Sequence, residues 1–356
     1  MTATPLRSLS SAVVAILTCV SATAQDVHLT QFYASPLTLN PALTGGFDGQ
    51  LRAGVNYRDQ YRGLLPSPFV TTSAALDFRF PLAFGGRSQG DAAAVGVMFM
   101  SDRVREYDFS TNLVVVSGGF HKMLDERTNQ ILSVGLSAGI GQRNVNYGNL
   151  TWQDEFTIRP NGTIGYFGDT RESLPANNLS YGDFSVGVNY SYAPRNAPGI
   201  YAGVAAHHIN QPNISFYRDL DENAVEEPLD MKLTFHVAGT LPLNSTMRLL
   251  PRALVQSQGE SFEALVGSNI RFQFDEYSTT ALHLGSWVRG VRTVEDFAAD
   301  AVVALVGLEY KGVLLGTSYD LGLSQFTAGN RGQGAFEISL AYLGNYENDS
   351  LSCPTF

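Results

Sequence analysis

Residues 51–58 read LRAGVNYR and residues 70–80 read VTTSAALDFRF, and both alternate with a period of two. Leu51, Ala53, Val55 and Tyr57 share one face of the first stretch, with Arg52, Gly54, Asn56 and Arg58 on the other. In the second, Val70, Thr72, Ala74, Leu76, Phe78 and Phe80 oppose Thr71, Ser73, Asp77 and Arg79. Successive side chains of a strand point to opposite sides, so each stretch reads as a strand with one apolar and one polar face. An Arg facing lipid at mid-bilayer would cost about 2–4 kcal/mol, so Arg52, Arg58, Asp77 and Arg79 are expected to face the lumen of a barrel, pairing with one another or contacting a plug.

The same period recurs along the chain. Leu132, Val134, Leu136, Ala138 and Ile140 alternate with small residues, as do Phe184, Val186, Val188, Tyr190 and Tyr192, and the pattern returns at residues 313–319 and 336–342. Counting every such segment predicts an all-β fold, a transmembrane antiparallel β-barrel of roughly 14 strands preceded by a short non-barrel segment. No apolar stretch past the first residues approaches the roughly 20 residues of a spanning helix. The two longest connections, Asn144 to Ser180 and Ile209 to Asp230, both follow odd-numbered strands, as extracellular loops do if the chain starts in the periplasm.

Arg7, an apolar run from Leu9 to Val20 and the small residues Ser21 to Ala24 form a secretory leader, with cleavage expected after Ala24. Thr18 is an unusual neighbour for lipoprotein processing at Cys19. The expected organisation is a signal peptide over 1–24, a periplasmic or lumenal segment over 25–49, a barrel over 50–344 and a tail over 345–356. Loss of Arg7 takes the net charge from −10 to −11, which disfavours nucleic acid as a partner. Cys353 would then be the one remaining cysteine, so no internal disulfide is expected.

Motifs of chemistry fit the strands poorly. Gly135–Gly139 spells G-x-S-x-G, but a nucleophile elbow needs a strand-to-helix turn, and Ser137 falls inside an alternating strand; no catalytic residue is predicted. His207 and His208, as strand neighbours, should point to opposite faces and cannot share a metal without a bulge. The acidic run from Asp219 to Asp230 lacks the spacing of a calcium loop and reads as a solvated face. Neither metal nor cofactor is expected. Tyr57, Phe80, Tyr190, Tyr192, Trp287 and Tyr342 suit interfacial girdles.

The segment QFYASPLTLNPALTGGFDG at 31–49 and NYRDQYRG at 56–63 carry a resemblance. They resemble the opening of the PorP/SprF family of type IX secretion system membrane proteins. Gln31, Pro36, Asn40, Pro41, Ala42 and Gly45 match its first motif, and Tyr57, Arg58, Gln60 and Tyr61 its first strand. HHINQP at 207–212 is similar to the family's His-x-Asn-Gln-Pro element, through His208, Asn210, Gln211 and Pro212. GTSYDLGLSQF at 316–326 resembles the penultimate strand with its Tyr319–Asp320 pair, and GQGAFEISLAY at 332–342 the last strand, with Glu337 in place. Phe336 stands where the family often has His, and Cys353 to Phe356 is similar to the family's ending.

The resemblance implies a non-catalytic outer-membrane component of type IX secretion, supporting export or surface retention of secreted proteins and, in gliding species, adhesins. Its implied partners are other secretion subunits, the cargo or adhesin, and outer-membrane lipid. A porin or hydrophobic-solute channel shares every barrel signal and is the alternative. Recognition is expected in the two long loops and the N-terminal segment, where Asn40, Pro41 and Gly45 form either a capped periplasmic lead or a plug.

Overall fold

The computed structural model of this chain describes residues 26–344, apart from 64, 66, 85–86, 105–107, 126–129, 159–163, 167–169, 195–196, 219–225, 276–277, 293–296 and 324–333. In chain order the strands are β1 Leu51–Gln60, β2 Phe69–Phe84, β3 Arg87–Val104, β4 Phe109–Asp125, β5 Gln130–Asn144, β6 Phe156–Ile158, β7 Ile164–Tyr166 and β8 Asn178–Tyr192. They continue as β9 Gly199–His207, β10 Lys232–Pro242, β11 Met247–Gln258, β12 Ser261–Gln273, β13 Thr280–Arg292, β14 Phe297–Tyr310, β15 Val313–Gly322 and β16 Gly334–Gly344. All but β6 and β7 form a closed barrel of 14 antiparallel strands, in which β1 pairs with β2 on one side and with β16 on the other. Closure leaves no sheet edge to satisfy in lipid.

Period-two patterning sorts the two faces as expected. Val55, Phe99, Val116, Leu136, Ile140, Val204, Val266, Leu284 and Leu340 are exposed on the outer wall, while Arg52, Asn56, Arg58, Ser73, Asp77 and Arg79 are buried inward. One aromatic departs from the expectation. Trp287 faces the lumen, buried, where its indole N–H donates to Asn269 Oδ1 at 3.0 Å; it belongs to an interior core and not to a girdle.

The longest connections share one rim, but lengths do not alternate throughout: 105–108 and 293–296 on that rim span four residues each, while 274–279 on the other spans six. Turns such as 243–246 and 311–312 sit at one rim, while 145–177 and 208–231 sit at the other, yet 259–260, on the long-loop rim, has two residues. The first long connection also carries 3₁₀ turns and the two-stranded sheet of β6 and β7.

The chain ahead of β1 lies inside the barrel. It contains a 3₁₀ turn at Phe32–Ala34, a single helical turn at Pro36–Leu39 and a second 3₁₀ turn at Pro41–Leu43. Asp26, the first described residue, contacts the long-loop ends of β9, β10 and β11, and the segment then descends to enter β1 at the short-turn rim. Of the two expected placements, the lumenal one is observed, and the described chain starts at the rim opposite to the presumed periplasmic start. Phe32 and Leu39 pack with Leu254, Leu265, Trp287 and Val303, and the Phe32 and Trp287 rings meet edge to face at 5.6 Å.

The wall is shaped to receive this segment. A Cβ added at Gly135 would overlap the Pro41 carbonyl, and one at Gly187 the Asn40 side-chain oxygen. Gly135, the first glycine of the G-x-S-x-G stretch, thus makes room for the lead. Gly45, with φ +71°, makes the matching approach from the lead to Ala94 in a backbone region that side chains disfavour. Gly135→Val should therefore cost about 1–3 kcal/mol by overpacking, read as a lower midpoint in detergent unfolding, whereas Leu136→Ala on the outer wall should not disturb the lead. Equal midpoints for Gly135→Val and the parent chain would show that the lead does not rest on that wall.

Candidate functional site

Four contact zones fix the lead, and the first joins β1, β13, β15 and β16. Glu337, 0 % exposed, accepts the backbone N–H of Thr30 on Oε2 and that of Gln31 on Oε1, both at 2.8 Å. Arg58, its direct partner across the β1–β16 ladder, reaches Glu337 Oε2 at 3.1 Å, Asp320 Oδ2 at 2.9 Å and the Thr30 hydroxyl at 2.7 Å. Arg289 donates to Asp320 Oδ2 at 2.8 Å and also to the Thr30 hydroxyl. Gln31 completes the zone, donating to Ser318 Oγ at 3.2 Å and accepting from Ser339 Oγ at 2.7 Å. Two guanidinium groups and two carboxylates balance, which such burial requires.

Lower in the lumen, the Asn40 amide spans three strands. It donates to the carbonyls of Val188 at 3.1 Å and Val204 at 3.2 Å, lies 3.2 Å from His236 Nε2, and accepts from Ala42 N at 2.8 Å. Pro41, at the first position of the turn, has no N–H to leave unpaired. At the short-turn end, Asp77 Oδ2 accepts from Gly45 N at 2.7 Å and pairs with Arg52 at 2.6 Å, while Arg52 also donates to the Leu43 carbonyl. Arg79 donates to the Phe47 carbonyl at 3.0 Å. The charged residues on the first two inner faces thus both pair with one another and hold the lead.

The fourth zone lies where β9 ends. His208 is off the strand with φ +55°, which turns its ring inward beside His207, so both imidazoles face the lumen; the expected opposition of the two fails because strand geometry stops at His207. His207 contacts Ser185 Oγ and the Leu39 carbonyl, each at 3.2 Å. His208 lies 2.8 Å from both Asp183 and Asp26, and Lys232 donates to Asp26 at 2.6 Å. Burial alone would lower the His208 pKa, but its hydrogen bonds and charge attraction to the two carboxylates raise it to about 9. Burial likewise opposes ionisation of Asp26, yet the Lys232 charge and His208 hold it well below the usual range.

Asn210 accepts from Phe184 N and donates to the Gly182 carbonyl, tying the second long loop to β8. Gln211, with φ +41°, turns the chain back to the His208 carbonyl, and Pro212 accepts from Leu229 N across the loop base. Of the sequence-predicted residues, Arg58, Asp320 and Glu337 meet in one cluster, Asn40, Pro41 and Gly45 lie along the lead, and His208 to Pro212 form the loop base. Tyr57 and Tyr319 point to the outer side, and Gln60 closes β1 at the long-loop end opposite Phe69 and Ala335. Thr30, Asp26, Asp183 and Arg289 were not singled out by sequence reading. For Arg289 the signal was available, an Arg at the inward phase of an alternating strand. Among the described residues no group of three or more His, Cys, Asp or Glu side chains is arranged to hold a metal.

Glu337→Gln should leave Arg58 without a full counter-charge and weaken one grip on the lead, costing about 3–5 kcal/mol, with the N-terminal segment becoming protease-sensitive before the barrel unfolds. Unchanged protection of residues 26–49 would remove Glu337 as the anchor. The His208 contact also has a defined pH window. Because its folded pKa lies above the ordinary 6.5, its stabilisation is complete below about pH 6.5 and is lost as pH rises through about 9. The Tm gap between the parent chain and His208→Gln should therefore shrink between those values; a gap constant to pH 10 would contradict this assignment.

A family described as type IX secretion system membrane protein PorP/SprF matches residues 21–342. No curated protein matches the chain. Among solved structures, a deletion mutant of the monoaromatic hydrocarbon channel TodX aligns with 12% identity over 87% of this chain and 94% of its own, at a TM-score of 0.50. The monoaromatic hydrocarbon channel CymD aligns with 10% identity over 88% and 94%, at 0.49, and the P. putida toluene transporter TodX with 12% identity over 86% and 93%, at 0.47. At these identities the likeness is one of barrel architecture. With nearly the whole chain matched, the chain belongs to the type IX secretion system membrane protein PorP/SprF family.

Proposed function

We propose that this protein is a non-catalytic docking barrel of the outer membrane, which holds a secreted cargo or adhesin, or another secretion subunit, at the cell surface. The observation that carries this reading is the segment anchored across the lumen. Residues 26–49 are tied to the wall along its length by carboxylates, guanidinium groups and amides, so the long-loop rim offers the surface free for recognition. The outer apolar band and the family membership support residence in the outer membrane, with the long loops outside. Surface retention of adhesins in gliding species, a leader cut after Ala24 and the named partner classes belong to the same proposal.

The rim is built for rigid display. Leu179, Ile214 and Leu229 pack beneath the second long loop, and Asn210 and Pro212 brace its base. Long loops on a rigid scaffold commonly carry recognition. Ser137 supports the non-catalytic reading, since it lies within β5 and no helix follows it there. The alternative, a diffusion channel, would need the lead to leave, and its buried charges oppose that.

Removing residues 215–227 should lower cargo display at the cell surface at least about fivefold while heat-modifiable barrel remains abundant, because described residues of that segment bond within the loop and to the Ser180 carbonyl of β8. Normal display by an assembled variant would move recognition to the short turns or elsewhere on the rim. Asn40→Ala should act differently, reducing barrel stability and display together, since its amide satisfies two wall carbonyls.

A further inference from the structure

At the short-turn end of the lumen, between the lead and the inner faces of β4, β5, β8, β9 and β10, lies a cavity of about 790 Å³, its open mouth included. Phe32, Tyr33 and Leu39 of the lead form its roof, and Ile131, Tyr201 and Val237 line its walls. The lining is mostly aromatic and aliphatic.

The charged and imidazole groups that line it are engaged. His121 bridges Ser133 Oγ and the Thr44 carbonyl at 2.7 Å each, His236 meets Asn40, and Arg52 is paired with Asp77. Asn189, 5 % exposed and on the inward face of β8, is different: its Oδ1 makes no hydrogen bond. A buried amide of this kind can both donate and accept. Since the one guanidinium in the lining already has its carboxylate, nothing there holds an extra negative charge.

We propose that this cavity binds a small neutral apolar molecule carrying a single hydroxyl group, such as a phenol, with its body under Phe32 and Tyr33 and its hydroxyl on the Asn189 amide. The lead above makes the site a closed-ended cup, so the molecule binds without passing through. Apolar walls with a few placed polar groups are the usual composition of such sites. The proposal is independent of the docking role, because the cup lies at the rim opposite the long loops.

The test uses the full protein in lipid nanodiscs, with para-fluorophenol followed by fluorine NMR and para-fluoroanisole as the probe that lacks the O–H. Saturable fluorophenol binding is expected, about fivefold or more tighter than fluoroanisole, as one added hydrogen bond gives. Asn189→Leu should weaken fluorophenol binding about tenfold and leave fluoroanisole unchanged. Ala238→Trp, which fills the cup, should abolish both, and it serves as the second variant if Asn189→Leu does not assemble. Non-saturable partition equal to that of empty nanodiscs, equal affinity for the two probes, or indifference to Ala238→Trp would each overturn the proposal.

Discussion

A chain that crosses a lumen without strand partners must find acceptors for its own amides, and those that the turns of the lead do not satisfy internally fall to the side chains and carbonyls of the wall. Glu337 meets that constraint for two successive residues at once, holding the N–H groups of Thr30 and Gln31 on its two oxygens. The rest of the upper lumen follows from it. A fully buried carboxylate needs a cation, which Arg58 supplies; Arg58 then needs Asp320, and Asp320 is shared with Arg289. Thr30 joins all four through its hydroxyl or its amide.

Below this charged zone the logic changes from pairing to shape. Phe32 and Leu39 seat against Trp287 and its neighbours, Arg252 lies 4.1 Å from the Tyr33 ring centroid, and glycines in β5 and β8 admit the Asn40–Pro41 turn. Charge balance selects where the lead is held, and close packing selects how. Together they make the segment part of the interior, so that what distinguishes this barrel from an open pore is a short stretch of chain that belongs to no strand.

Much of this was legible in the sequence. Period two revealed the barrel and its inward charges, because one residue of slip would put Arg58 or Asp77 into lipid. The lead was legible as something other than a strand, through Pro36, Pro41 and Gly45, but its position was not. Its anchors Asp320 and Glu337 lie about 300 residues away in sequence, and no local pattern links them to Thr30. Trp287 misled for a related reason: an aromatic in a barrel strand reads as a girdle until the lumen is known to contain Phe32 and Tyr33. His208 escaped the strand rule because its left-handed backbone begins one residue after β9 ends.

The β1–β16 ladder joins the first strand to the last, and Arg58 faces Glu337 across it. Thr30 is bonded to both, so the lead stitches the seam at which the ring shuts. That ladder is also the pairing of widest sequence separation in the barrel, so the lead braces the closure that costs the chain the most loop entropy.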